Sequence, residues 1–188
     1  MRRLLLVRHA PTRATRATAF PADEPLDESA RAAAAGLAAA LPQRCEVLSS
    51  PAVRCRQTAE AAGLHARADA VLAECDFGRW AGRRLAEVER DSARAWMLDP
   101  DAAPHGGESL TTFAARVAAW LDVQARLEGA AAAITHGGVI KAAVVHALGA
   151  PLQAFWQIDA APLSVTELHA HDERWTVTRL NDMVAASA

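Results

Sequence analysis

Two segments of this sequence place a histidine directly after a short, continuous run of apolar residues. In "LLLVRHA", Arg8 and His9 follow the run, and in "AAAAITHGG", His136 follows residues 131–135. Such runs are typical of strands that are buried on both faces of a parallel sheet. The carboxyl ends of parallel strands meet at one edge of the sheet, where ligand sites are usually built. We therefore expect both imidazoles at the same edge of one sheet.

Helical and extended segments alternate along most of the chain. This alternation indicates a three-layer α/β/α sandwich with a mostly parallel central sheet. A length of 188 residues fits one domain, residues 1–188. In the first third of the chain we predict a strand in residues 4–7, a helix from Asp27 or Glu28 to Leu41, a strand in "CEVLS", and a helix over 51–63 that is capped by Ser50 and has Pro51 in its first turn. The middle third is predicted to contain a short strand within 68–82 that ends near Glu74, one or two short helices in 83–98, and a helix over 110–127 that is capped by Ser109. A strand over 131–135, a helix ending near Gly149, and a hairpin of "LSVTELHAH" and "RWTVTRL" that turns at Asp172 and Glu173 are predicted to follow.

Charge and cysteine content exclude several classes of function. The 20 basic and 22 acidic residues give a net charge of −2, which favours no nucleic acid or membrane partner. Cys45, Cys55 and Cys75 are an odd number without a CxxC pair, so we expect reduced thiols and no zinc site. Arg8 and His9 interrupt the first apolar run too early for a signal peptide. We therefore expect a cytoplasmic protein without a bound metal, and a homodimer is left open.

Several residues near the predicted strand ends could together bind an anion. Arg8 precedes His9, Arg54 lies in the first turn of the helix after "SSP", and Gly137 begins a helix directly after His136. Free N–H groups and the partial positive charge of a helix N-terminus favour anions. Glu74 could donate a proton to a leaving group at the same edge. For each residue alone, an ordinary structural or surface role is the simpler interpretation, and Arg56 is expected to be a surface residue.

Five segments together resemble the histidine phosphatase superfamily, also called phosphoglycerate-mutase-like. They are "LLLVRHAPT", "SSPAVRCRQTA", "LAECDFGRWAG", "PHGGES" and "AITHGGVIK", in the family's order and approximate spacing, from about Leu4 to about Leu148. The chain looks most like the short bacterial phosphatases, such as α-ribazole phosphatase. The family commonly has Gly, Asn and Gly where this chain has Ala10, Thr15 and Ala30.

The resemblance implies a role for each candidate site residue. His9 would be the nucleophile that forms a phosphohistidine, and Glu74 would be the general acid. Arg8, Arg54 and His136 would hold the phosphoryl oxygens, because positioned cations and N–H donors stabilise the charge of a transferring phosphoryl group. The hydroxyl of Thr12 and the helix entrance at Gly137 could add phosphate contacts. The resemblance implies no cofactor and no metal.

The other aromatic residues and histidines carry weaker signals. Trp80, Trp96 and Trp156 could stack on a substrate, with Trp80 the best candidate because it lies near Glu74 in the same loop, although tryptophan more often fills a core. His169 and His171 are expected to be exposed hairpin residues. We expect structural roles at His65, His105 and His146, with His105 near the rim of the site.

The sequence thus predicts a phosphomonoesterase that hydrolyses a small phosphorylated metabolite and releases inorganic phosphate. A phosphoglycerate-type mutase would use the same chemistry but needs a closed, dry pocket. An inactive module that binds a phosphorylated metabolite is a third hypothesis. Specificity would lie in the loops around residues 13–25, 76–84 and 100–108.

Overall fold

The computed structural model describes residues 1–183, in which six strands form one sheet of order β3-β2-β4-β1-β5-β6. The strands are β1 (Arg2–Arg8), β2 (Glu46–Ser49), β3 (Arg67–Ala68), β4 (Gly129–Thr135), β5 (Ser164–His171) and β6 (Arg174–Met183). The α-helices are α1 (Arg13–Arg16), α2 (Glu28–Ala34), α3 (Val53–Ala61), α4 (Arg90–Leu98), α5 (Leu110–Ala125) and α6 (Gly137–Leu148). Short 3-10 helices cover Leu37–Ala40, Ala70–Leu72, Gly78–Trp80, Leu85–Glu87 and Leu152–Gln157.

The two strands that end in histidine are neighbours in the centre of the sheet. β1 and β4 pair in parallel, with Arg8 opposite Thr135. The N–H of His9 donates to the carbonyl of Thr135 at 2.9 Å, so the pairing continues past the end of β1. β2 also lies parallel to β4, and the Ser50 N–H donates to the carbonyl of Ile134. His9, Ser50 and His136 therefore leave the sheet at the same edge, as the sequence predicts.

Helices cover both faces of this sheet. Side chains alternate along a strand, so Leu4 and Leu6 join one core cluster and Leu5 and Val7 join another. The first cluster is formed with residues of α5 and α6, and the second with residues of α3 and the segment around Leu37. The predicted three-layer α/β/α sandwich is confirmed, with β5 and β6 as the antiparallel part of a mixed sheet.

Three predicted elements differ from the structure. The helix predicted to reach Leu41 ends at Ala34 and continues as a 3-10 helix after Gly36, since glycine weakens a helix interior. The helix predicted to include Pro51 in its first turn begins at Val53, with Ala52 at its N-cap and no side-chain cap. No strand leads to Glu74, because β3 is only Arg67–Ala68 and a 3-10 helix follows it.

Other predictions of local structure are confirmed. Ser109 caps α5 by accepting the N–H of Thr112, and Gly149 ends α6 with a φ of 59°. The hairpin turns at Asp172 and Glu173, which have φ values of 49° and 59°, as a two-residue hairpin turn requires. Within residues 1–183, none of the helices is both long enough and apolar enough to cross a membrane.

Candidate active site

The edge of the sheet brings two histidines into contact. His9 follows β1, His136 precedes α6, and their ring centroids lie 5.3 Å apart in an edge-to-face arrangement. Both rings are almost completely buried, with exposed fractions of 4% and 1%. The strand pairing therefore determines their proximity, because Arg8 and Thr135 are opposite each other in the sheet.

Hydrogen bonds define which nitrogen of His9 carries the proton. Nδ1 lies 2.7 Å from the backbone carbonyl of Ala10, and a carbonyl can only accept, so Nδ1 is the protonated nitrogen. Nε2 accepts a hydrogen bond from Nε of Arg54 at 3.3 Å. The lone pair of His9 is therefore on Nε2, on the side of the arginine.

The surroundings of His9 keep its imidazole neutral. Burial is the main cause and lowers the pKa of His9 to about 3. The positive charges of Arg54 and Arg8 lower this pKa further, against the opposing hydrogen bond to Ala10. A neutral imidazole is the form that can attack an electrophile, so His9 is prepared to act as a nucleophile at neutral pH.

Arg54 links the two histidines to the loop that follows β1. Its Nη2 donates to Nδ1 of His136 at 3.0 Å, and its Nη1 donates to the carbonyl of Ala22 at 3.0 Å. Because Arg54 is the donor, Nε2 of His136 carries the proton and donates to the hydroxyl of Ser50 at 2.8 Å. Burial and the charge of Arg54 place the pKa of His136 well below its ordinary value. Before a ligand binds, His136 thus orients Arg54.

Arg8 and Arg54 are positive charges without carboxylate partners. Among residues 1–183, no salt bridge involves either arginine. Arg8 donates to the carbonyl of Ala160 at 2.5 Å, and its Nε is buried without a hydrogen-bond partner. Burying a charge without a partner is costly. Within this part of the chain neither arginine forms an ion pair, although the charges of Glu74 and Asp159 also act on Arg8, so both guanidinium groups remain available to an anion.

Glu74 faces this site from the segment that follows the 3-10 helix Ala70–Leu72. Its Oε2 accepts the N–H of Gly138 at 3.2 Å, and its Oε1 accepts the N–H of Cys75 at 3.0 Å. A Cβ at Gly138 would lie 2.1 Å from Oε1 of Glu74, so only glycine allows this approach. The second glycine of "THGG" therefore makes room for the carboxyl group.

Arg116 of α5 holds the backbone that carries Glu74. Its Nη1 donates to the carbonyls of Val71 and Ala73 at 2.7 and 3.1 Å, and its Nη2 and Nε bind both carboxylate oxygens of Glu108. No motif of the sequence predicts a role for Arg116. Its one distinguishing feature in the sequence is a charged side chain among the apolar neighbours of a predicted helix.

A cavity of about 380 Å³ opens beside His9. Its polar end contains Arg8, His9 and Glu74, so the predicted nucleophile and the predicted acid line one cavity. The rest of its wall is formed by Ala14, Thr15, Thr18, Ala19, Phe20, Pro21, Glu24, Leu85, Ala93, Trp96, Met97 and Trp156. Gly137 lines an adjoining cavity that also touches Arg8 and Glu74.

Two sequence-predicted residues have other surroundings than expected. The Thr12 hydroxyl donates to Oε1 of Glu24 at 2.9 Å and accepts the N–H of Thr15 as the N-cap of α1. A phosphate contact of Thr12 stays a prediction that requires the exchange of these bonds.

Trp80, predicted to be the best stacking residue, is only 2% exposed and packs against Phe20 and His105. Trp96 and Trp156 line the cavity instead, because the 3-10 helix over Gly78–Trp80 turns Trp80 into the core.

Ala10 is compatible with the geometry of the site. Ala10 does not have a positive φ, so its methyl group causes no backbone strain. Ala10 is fully buried and packs against Leu26 and Ala30, and its N–H donates to the hydroxyl of Thr58 at 3.0 Å. The two alanines that replace glycines of the family pattern therefore pack together.

The histidines outside the site have structural partners or are exposed. His169 differs from the expectation of an exposed residue, since its Nε2 lies 2.6 Å from Oε1 of the buried Glu167. His171 is exposed, as expected of the hairpin, whereas His65, for which a structural role was expected, is exposed as well. His105 is buried and accepts the N–H of Gly107. Within the described part of the chain, no group of three or more potential ligands is arranged to hold a metal ion.

Comparisons with known proteins place this geometry in a family. The family model of the histidine phosphatase superfamily (branch 1) matches residues 4–183. The chain therefore belongs to the histidine phosphatase superfamily. It is 29% identical to phosphoserine phosphatase 1 of Hydrogenobacter thermophilus over 195 residues, which cover 96% of this chain and 92% of that protein.

Solved structures show the same fold. The structure of a mycobacterial glucosyl-3-phosphoglycerate phosphatase in complex with VO3 superposes with a TM-score of 0.84 at 30% identity and covers 97% of this chain and 100% of its own. An Escherichia coli protein described as a candidate α-ribazole-5′-P phosphatase superposes with a TM-score of 0.83 over 98% of both chains, and its 22% identity shows the fold alone. The chain spans about half the length of the mycobacterial proteins that it matches at 33% identity.

Proposed function

We propose that this chain is a phosphoric monoester hydrolase that acts on a small phosphorylated metabolite with His9 as the nucleophile. The observation that carries the proposal is the neutral imidazole of His9 beside Arg8 and Arg54, two cations that form no salt bridge within residues 1–183. A phosphate dianion supplies the missing negative charge, and the relatives named as phosphatases agree with this chemistry. In this proposal Arg8, Arg54 and the N–H of Gly137 hold the phosphoryl oxygens, and His136, whose N–H donates to Ser50, orients Arg54.

The first step transfers the phosphoryl group to His9. The lone pair on Nε2 forms an N–P bond while the P–O bond to the leaving group breaks. The protonated carboxyl group of Glu74 gives its proton to the leaving oxygen, so an alcohol departs. The carbonyl of Ala10 stabilises the positive charge that the imidazole gains, because Nδ1 donates to it at 2.7 Å.

The second step releases inorganic phosphate. Water attacks phosphorus, and the Glu74 carboxylate formed in the first step takes a proton from that water. The N–P bond breaks and its electron pair returns to Nε2 of His9. Both side chains regain their starting state, and dividing hydrolysis into two steps lowers the barrier of each.

Replacement of His9 tests the proposal directly. His9→Ala should lower phosphate release to background, because the covalent step is lost, whereas the exposed His65→Ala should keep wild-type activity. Rapid acid-free quenching and mass spectrometry should find the phosphoryl group on the peptide that contains His9. Phosphate release by His9→Ala at the wild-type rate, or a phosphoryl group on His136, would refute the assignment.

The same assays separate the two other hypotheses from the hydrolase. A mutase would isomerise a phosphoglycerate faster than it releases phosphate, and an inactive binding module would bind phosphate without turnover of any ester. We expect phosphate release to dominate and to persist in EDTA, since protein cations supply the charge stabilisation in this proposal. Activity that EDTA removes and a divalent metal restores would contradict a metal-independent mechanism.

A further inference from the structure

The cavity beside His9 has one polar end and a mainly apolar remainder. Arg8, His9 and Glu74 form the polar end. Apolar side chains form most of the rest of the wall, among them Phe20 and Trp156. If the phosphate lies at the polar end, as the proposed function requires, the leaving group occupies the apolar part. The residues of this wall therefore indicate the chemical class of the leaving group.

The charged side chains of this cavity disfavour a second anionic group on the ligand. Arg8 is the cation that lines the cavity, and the proposed phosphate uses it. Besides Glu74, the acidic side chain of the wall is Glu24, whose Oε1 accepts a hydrogen bond from the hydroxyl of the fully buried Thr12 at 2.9 Å. Arg90 and Arg94 of α4 line a neighbouring groove and not this cavity. Within this cavity a negatively charged leaving group would meet Glu24 and no cation other than Arg8, while Lys141 lines the adjoining cavity.

The aromatic rings of the wall form a rigid corner. Trp96 and Trp156 have ring centroids 4.9 Å apart with planes at 79°, and Phe20 lies 6.0 Å from Trp96. Each ring is fixed by packing against its neighbours, so the cavity does not need to be ordered when a ligand binds. A volume of about 380 Å³ falls within the range of small-molecule sites and exceeds what a phosphate alone requires.

We infer that the substrate is a phosphomonoester with a bulky, mainly apolar leaving group that carries no anionic substituent, and that Glu24 is a specificity-determining residue that rejects anionic leaving groups. The inference rests on the proposed function for the position of the phosphate. It disfavours phosphoglycerates and phosphoserine, whose carboxylates would lie near Glu24. A cationic or hydroxyl substituent, in contrast, can interact with the Glu24 carboxylate.

Binding of phosphonates tests the inference without requiring turnover, because the C–P bond is not hydrolysed. Isothermal titration calorimetry at fixed ionic strength would compare methylphosphonate, benzylphosphonate, 4-carboxybenzylphosphonate and 4-(ammoniomethyl)benzylphosphonate. Benzylphosphonate should bind at least about tenfold more tightly than methylphosphonate, since its ring buries apolar area. The 4-carboxy compound should bind at least about tenfold more weakly than benzylphosphonate, and the ammonium compound at least as tightly.

Two variants assign the effects to residues. Glu24→Gln should reduce the penalty of the 4-carboxy compound by about threefold or more, because the repulsion is removed, and should alter benzylphosphonate by less than twofold. Glu60→Gln, an exposed position on α3, should change neither value. Trp156→Ala should weaken benzylphosphonate but not methylphosphonate. An equal change for all ligands in Glu24→Gln would show only a structural role of the Thr12–Glu24 contact and would overturn the role in specificity.

The results also separate this inference from the proposed function. Equal or tighter binding of the 4-carboxy compound, no advantage of the benzyl ring, or no phosphonate binding would overturn the inference even if the enzyme releases phosphate from esters. The expected order of affinities would support it even if no ester is hydrolysed, and the hydrolase proposal alone would then fail.

Discussion

Glu74 and Gly138 illustrate how a single missing methyl group fixes the geometry of a site. Gly138 offers its N–H to the carboxyl group of Glu74, and a Cβ at this position would lie 3.0 Å from the carboxyl carbon itself. A small displacement of the Glu74 carboxyl group therefore changes its distance from Arg8 and His9, which line the same cavity. At the residue scale, the position of the proposed acid therefore depends on the absence of a side chain.

Gly138→Ala should displace Glu74 and reduce turnover while the protein still folds. Alanine fits the helical conformation of α6, and its Cβ would meet the Glu74 carboxyl group at 2.1 Å and Cζ of Phe113 at 3.2 Å, so the change acts mainly on Glu74. We expect a reduction of kcat by about tenfold or more for alkyl phosphates, less than the full contribution of general-acid catalysis. Gly36→Ala, at a position with a φ of −81° outside the site, is the matched control. Unchanged kcat in Gly138→Ala would mean that Glu74 does not act from this position.

Glu74→Gln should slow alkyl phosphates far more than aryl phosphates. An alkoxide is a poor leaving group that needs a proton, whereas a nitrophenolate leaves without much help, and general-acid catalysis contributes roughly 10²- to 10⁴-fold where it is needed. Steady-state kinetics with one alkyl and one nitrophenyl ester measures the contrast. Equal losses on both esters would assign Glu74 a positioning role only.

The sequence predicts individual site residues where a short local pattern determines their position. Arg8, His9 and His136 follow recognisable buried strands, so their location at one edge could be predicted. The role of Ser50 could not, because its hydroxyl was expected to cap α3 and instead accepts from His136, a residue 86 positions away. Thr12 is a similar case, since its contact with Glu24 depends on the path of the loop between them.

At the scale of elements, the segment that carries Glu74 has little regular structure of its own. It consists of a 3-10 helix over Ala70–Leu72 and irregular backbone, and Arg116 of α5 binds its carbonyls. Two loops meet so closely next to it that a Cβ at Gly107 would lie 2.0 Å from the carbonyl oxygen of Asp76. Contacts between elements thus replace the strand that the sequence predicted here, and such contacts have no local sequence signal.

Arg116→Met should loosen this segment and lower kcat. The substitution keeps a long apolar side chain but removes the donors to Val71, Ala73 and Glu108, and charge-assisted hydrogen bonds contribute about 1.5–3 kcal/mol each. We expect lower stability and a larger kcat loss for alkyl than for aryl phosphates, with competitive inhibition by inorganic phosphate retained. Arg56→Met, on the exposed face of α3, should be neutral. Loss of phosphate inhibition would show that Arg116 acts on the anion site and not through Glu74.

At the scale of the whole molecule, the sandwich buries the strands that lead to the two histidines from both faces of the sheet. Residues of β1 contribute to clusters on both faces of the sheet, and helices α3 and α6 begin next to the histidines. The alternation of strands and helices was sufficient to predict this architecture, because a continuous run of apolar residues indicates a strand that is buried on both faces. The shape of the cavity was not predictable, since it arises from loops whose tryptophans could be expected either in the core or at the ligand.

Burial of two neutral histidines should make the stability of the folded protein depend on pH. In the folded state the pKa of His9 is about 3, against 6.5 for an ordinary histidine, and the pKa of His136 is also lowered. As the pH falls below 6.5, the unfolded chain therefore binds protons that the folded chain does not, and the free energy of unfolding decreases. The slope for one such histidine approaches about 1.4 kcal/mol per pH unit.

Urea denaturation between pH 7.5 and pH 5 measures this slope above the range in which most carboxylates titrate. His9→Asn should give a shallower dependence, by close to one proton, because asparagine has no group that titrates there. His65→Asn, at an exposed position outside the site, is the matched control. Parallel curves for the wild type and His9→Asn would mean that His9 can be protonated in the folded state, and the assignment of a buried, neutral nucleophile would be wrong.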